Sequence, residues 1–197
     1  MDAIKITRAT LLVLVLHQAS NVLIASTGPE NASVVPGASM AGIALGPNGA
    51  QEIKKLGKPD RIDRGMSQTR QVWKSLKPGG RFDYFFIHTV NNGAIDAQPP
   101  NGVTIDLIRS TANRFRTASG IGAGNTLEQI HQSFPDAAPV DGTPTVFDDV
   151  KRGIGFEFSD APTDHSVCIA IMVHPAGQSH FATQQQVAEL LENGNAD

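Results

Sequence analysis

The residues best suited to chemistry are few. Cys168 shares the chain with His131, His165 and His174, and a thiol beside an imidazole can act as an activated nucleophile. Its local run, Val167-Cys168-Ile169, is apolar and strand-like, which suits a small buried side chain better than a reactive one. As the single cysteine, it leaves no intramolecular disulfide and no CxxC metal or redox motif. His174 and His180 are separated by Pro175-Ala176-Gly177 and their neighbours, while Asp160, Asp164 and His165 share a loop; neither spacing matches a zinc motif. Asp148 and Asp149 are adjacent, so on a strand their side chains point to opposite faces, a poor geometry for a paired acid and base. There is no GxSxG elbow. The run Gly120-Ile121-Gly122-Ala123-Gly124 looks like a phosphate loop but follows a polar stretch rather than a buried strand, so it reads as a turn into a helix. No catalytic residue, metal site or cofactor is expected.

A binding surface is the stronger expectation. The segment Arg81 to Val90 is rich in aromatic and β-branched residues and predicts a long strand. Alternation puts Phe82, Tyr84, Phe86 and His88 on one side, with Phe85 and Ile87 on the other. Together with Trp73, in a short strand at Val72-Trp73, these give a candidate partner-binding set of Trp73, Phe82, Tyr84, Phe86 and His88. The same face could instead be internal, covered by a second unit or by the C-terminal helix.

Charge narrows the partner. The chain has 197 residues, a formal net charge of −3 and 18% charged residues. No basic stripe is present, which argues against nucleic acid as the partner. Arg109, Arg114 and Arg116 around the Ser110–Ser119 stretch read as a solvated linker. At the N-terminus, Lys5 and Arg8 precede the apolar run Leu11 to Leu16, followed by small residues at Ala25 and Ser26. That order predicts a signal peptide over 1–26 and a periplasmic or secreted protein. His17, Gln18 and Asn21 interrupt the apolar stretch, so no permanent membrane span is expected.

The positioning elements suggest a duplication. Gly42-Ile43-Ala44-Leu45-Gly46 returns as Gly120-Ile121-Gly122-Ala123-Gly124, each followed by a helix-like stripe: Ala50, Ile53 and Leu56, then Leu127, Ile130 and Phe134. Strands are expected over Val103–Arg109, Thr145–Phe147, Gly153–Ser159 and Val167–His174, and a helix over Thr183–Leu191. The expected division is a flexible lead-in at 27–41, repeat 1 at 42–110, a linker at 111–119, repeat 2 at 120–175, and a C-terminal helix with a frayed tail at 176–197.

The stretch Ile43 to Pro59, with its Ile-x-Leu-Gly opening and Leu56-Gly57-Lys58-Pro59, resembles the small SmpA/OmlA-type outer-membrane lipoprotein domain. The tandem arrangement is similar to the β-lactamase inhibitory protein fold. The resemblance implies helices on one face of an antiparallel sheet, and protein binding rather than catalysis. The acylated cysteine of the first family and the paired cysteines of the second are both missing. The expected fold is therefore α+β, as two tandem repeats, each a short helical segment packed on an antiparallel β-meander. The expected function is a non-enzymatic protein-binding module; an enzyme using Cys168 and nearby histidines is the alternative.

Overall fold

The structure is a computed structural model that describes residues 33–65, 67–91 and 102–195. The expected signal segment at 1–26, the turn at Asn92-Gly93 and the loop through Gln98–Asn101 lie outside the described residues.

Eight strands form one continuous antiparallel sheet. Three short strands, β1 (Val34–Val35), β2 (Ser39–Met40) and β3 (Ile43–Ala44), form a separate small sheet in sequence order. After α1 (Gly49–Lys54) come β4 (Arg61–Arg64), β5 (Gln68–Leu76), β6 (Phe82–Asn91) and β7 (Val103–Ser110). After α2 (Leu127–Ser133) come β8 (Ala138–Val140), β9 (Thr143–Asp149), β10 (Ile154–Glu157) and β11 (Ala170–Val173), and α3 (Gln184–Asn193) closes the chain. The order across the large sheet is β4-β5-β6-β7-β11-β10-β9-β8.

This corrects the expectation of two tandem helix-plus-meander units. The protein is mostly β, with two antiparallel sheets and, among the described residues, three short helices. The two glycine-flanked segments also differ in shape: Ile43–Ala44 is a strand paired with β2, whereas Ile121 and Gly122 lie in irregular backbone. The physical reason for fusion lies at the centre. Strand β7 pairs with β11 through Ile108↔Val173, Arg109↔Met172 and Ser110↔Ile171, so neither strand is left as an edge with unpaired backbone groups. The four residues of β10 and of β11 are all buried, since both faces of the sheet are covered.

The cover on the two faces differs. One face carries Ile87, Ile105, Ile108, Phe147, Phe156, Ile171 and Val173, packed with Leu127 and Ile130 of α2 and with Val34, Met40 and Ile43 of the small sheet. The opposite face carries Val72, Phe86, Leu107, Val146 and Met172 beneath Val187 and Leu190 of α3. Helices therefore lie on both faces, not one as the family resemblance implies. The aromatic strand β6 is apolar on both sides for the same reason, and the C-terminal helix is what covers its second side.

Local signals explain the helices. Both α2 and α3 begin with capping boxes: the Thr126 hydroxyl accepts from the Gln129 backbone N–H, the Thr183 hydroxyl accepts from that of Gln186, and each glutamine side chain reaches back to its cap. Each satisfies donors that a helix start otherwise leaves without partners. Helix α1 is only six residues long and has no side-chain cap; it is held by close approach. A Cβ at Gly49 would come within 2.7 Å of the Val103 carbonyl oxygen, so only glycine lets it sit this near β7.

Three further expectations change. The lead-in at 27–41 is not flexible over its described part, because Val34 and Met40 are buried core residues in strands. The basic linker is not simply solvated: Arg109 is 1% exposed, and the Arg116 guanidinium donates to the Asn113 and Gly120 carbonyls. Val167, at the start of the strand expected over Val167–His174, is 51% exposed and outside β11, which begins only at Ala170.

Candidate functional site

Structure separates the five residues of the candidate set. Trp73 pairs with Phe85 and Val72 with Phe86, so strand alternation places Trp73 on the face of the small sheet and Phe82, Tyr84, Phe86 and His88 on the face of α3. The indole N–H of Trp73 donates to the Gly57 carbonyl at 3.2 Å, fixing the end of the α1 segment. Phe86 is buried beneath α3. Phe86 is therefore a core residue, Trp73 lies on the other face of the sheet, and the five are not one patch. Phe82, half-exposed, and Tyr84 stay at the surface of the α3 face.

They border a cleft of about 710 Å³ between β6, β7, the Val167-Cys168-Ile169 segment and α3. Its floor includes Tyr84 and Arg109, and its helix wall Val187 and Leu191. Leu76 is directly opposite Phe82 across the β5–β6 pair. Leu76, Phe82 and Val167 are three of the four large apolar side chains that stand exposed among the described residues. Such side chains scattered singly would mean little; here Leu76 is cross-strand from Phe82, and Val167 lines the same cleft as Phe82.

The charge at this rim is positive. Lys77, Arg81 and Arg109 line the cleft, and no carboxylate does among the described lining residues. Two carboxylates lie behind them: Asp83 is paired with Lys77 and, at 3.5 Å, with Arg114, and Glu157 is paired with Arg109. With Arg109 balanced by Glu157, Lys77 and Arg81 stand at the opening with Asp83 as the one carboxylate behind them, in a chain whose formal net charge is −3.

At the far end of the same face, His88 meets Asp106, Gln68 and His180, none of which sequence spacing joins to it. Its Nδ1 is 2.7 Å from Asp106 Oδ1 and its Nε2 is 3.0 Å from Gln68 Oε1. His180, from the segment before α3, places its Nδ1 3.2 Å from Asp106 Oδ2, and the two imidazoles meet edge to face with centroids 4.9 Å apart. Burial alone would raise the Asp106 carboxyl, yet the hydrogen bonds from His180 and His88 outweigh it and hold the group down at about 2. A small cavity of about 180 Å³, lined in part by His88, His180, Gln68 and Arg70, adjoins the trio. The Arg70 guanidinium there is engaged by Asp63. No motif spacing could have revealed this grouping, because the strands and a loop bring the three together from distant positions.

The nucleophile alternative finds little support. Cys168 is buried, its thiol donates to the Ala170 carbonyl at 3.0 Å, and burial pushes it up to about 12, so the thiolate needed for attack is scarce at neutral pH. His174 Nε2 is 2.8 Å from Asp148 Oδ1, and Ser179 Oγ donates to Asp148 Oδ2 at 2.9 Å. Here the carboxylate lies between the imidazole and the hydroxyl, whereas general-base activation needs the imidazole in the middle. Asp149 projects from the opposite face toward Arg152, as adjacency on a strand requires. No protein-family model, no curated protein and no solved structure matches this chain.

Proposed function

We propose that this chain is a non-enzymatic protein-binding module, periplasmic or secreted, that takes a partner segment with an apolar side chain flanked by carboxylates into the cleft beside Phe82. The observation that carries this reading is the exposure of Phe82 and Val167 on the lining of one cleft, with exposed Leu76 cross-strand from Phe82. Water-exposed apolar area of this kind is stabilised when a partner covers it, at roughly 25 cal/mol per Å². The cationic excess of Lys77 and Arg81 over Asp83 at the opening favours an acidic flank and would speed encounter. The extracytoplasmic setting rests on the basic, apolar and small-residue order of residues 1–26. Among the described residues no helix is long and apolar enough to cross a membrane, and the partner is taken to be another protein. The resemblance to SmpA/OmlA-type domains and to the β-lactamase inhibitory protein fold favours protein binding as well.

The test is capture from envelope extract by the immobilised full chain. Wild-type protein should retain a partner that Phe82→Asp and Val167→Asp lose. Val35→Asp, at an exposed apolar position on the small sheet, should keep it. Capture that survives both cleft variants would refute the reading.

A further inference from the structure

We propose that His88, Asp106 and His180 form a site for a divalent transition-metal cation of the zinc type, with solvent from the adjoining cavity completing its coordination. One ligand atom from each residue lies within 4.8 Å of the others. Two imidazole nitrogens and one carboxylate suit zinc and its neighbours rather than calcium or magnesium, which prefer all-oxygen shells.

Backbone geometry places the carboxylate there. His88 pairs with Leu107, but the next residue, Thr89, pairs with Ile105, which leaves Asp106 as an extra residue in β7. In unbroken register Asp106 would face away from Leu107 and His88. The bulge turns it onto the α3 face, where its two oxygens receive His88 and His180. Bulges recur where a strand must re-aim a functional side chain.

The surroundings match what a bound cation needs. With Nδ1 of His88 toward Asp106, its Nε2–H is free to donate to Gln68 Oε1 at 3.0 Å, the outer contact that orients a ligating imidazole. Tetrahedral bonds of about 2.0–2.1 Å separate ligand atoms by roughly 3.3 Å. His180 Nδ1 lies 3.2 Å from Asp106 Oδ2 and His88 Nδ1 2.7 Å from Asp106 Oδ1; the imidazoles meet different oxygens, so side-chain rotation must bring one carboxylate oxygen and both nitrogens onto a shared cation. The cavity supplies room for a fourth ligand. Because His180 precedes α3, a cation here would tether the entry of that helix to the sheet. Phe82 and His88 are six residues apart on one strand, about 20 Å, so this site stands apart from the binding cleft.

The experiment is titration of the untagged, metal-stripped full chain with zinc against a chromophoric chelator, with cobalt(II) as a spectroscopic probe. One cation per chain should bind, and cobalt should give the visible bands of a four-coordinate site. His180→Ala, at a half-buried position, should weaken zinc at least about tenfold and erase those bands, and Gln68→Ala should cost about tenfold. His165→Ala, at an exposed site elsewhere, should change nothing. Circular dichroism checks that each variant folds; should His180→Ala fail to, His180→Gln takes its place. No stoichiometric uptake, or uptake that His180 replacement leaves intact, would overturn the assignment.

Discussion

Arg109 Nε donates to Glu157 Oε2 at 3.1 Å, and the two side chains are 1% and 4% exposed. They come from β7 and β10 and reach across β11, where Ala170 is in register with Glu157 and Met172 with Arg109. The other oxygen, Glu157 Oε1, accepts from the Gln184 backbone N–H at 2.5 Å. One ion pair therefore links the seam between the two halves of the sheet to the first residue of α3. Removing one partner strands a buried charge, so Glu157→Gln or Arg109→Met should cost about 3–5 kcal/mol. The double replacement Arg109→Met with Glu157→Leu should recover much of that loss. Urea unfolding of the three variants measures it.

Asp106 supplies a pH dependence with a definite sign. Its carboxyl is held down at about 2, against 3.8 for the ordinary group. The stability it contributes is complete above about 4 and is lost as pH falls toward 2. Unfolding curves of wild type and Asp106→Asn should therefore differ most near neutral pH and converge over that acid window.

Cys168 should be inert in the native state. Burial raises its thiol to about 12, so a disulfide reagent at pH 7 should label it only after denaturant is added. Rapid labelling of the folded chain would return the thiol to consideration as a nucleophile.

Gly153 marks where the small sheet meets the large one. It has φ of 72°, and a Cβ there would lie 2.2 Å from the His174 carbonyl oxygen and 2.8 Å from Gly37 Cα. Gly153→Ala should destabilise by more than about 2 kcal/mol, through both the left-handed backbone and the backbone clash. Thr183→Ala, which removes a cap only, should cost about 1 kcal/mol. Thermal unfolding of the two variants should rank them in that order.

Elements with strong local signals were legible in the sequence. Alternation finds β6 and β7, and helical stripes find α2 and α3. Strand β5 was cut to Val72-Trp73 because Gln68, Thr69, Arg70, Gln71 and Lys74 hide its pattern. Strands β1, β2 and β3 have two residues each, too few for any period. The glycine-flanked echo at Gly42 and Gly120 suggests two tandem copies, yet nothing local reveals that β7 joins β11 in one sheet. Long-range contacts were equally hidden: Glu157 gives no hint that it neutralises Arg109, and the bulge at Asp106 exists only once β6 and β7 are paired. Of the proposed binding residues, Phe82 and Tyr84 reach the cleft because their strand face was read correctly; Trp73 fell on the wrong side because its partner strand register was not readable.

The most direct measurement places a photo-crosslinking amino acid at position 82, and separately at position 35, in the full chain expressed in cells. The account predicts one discrete crosslinked protein partner from position 82 and none from position 35. Equal yields at the two positions, or no protein adduct at 82, would contradict it.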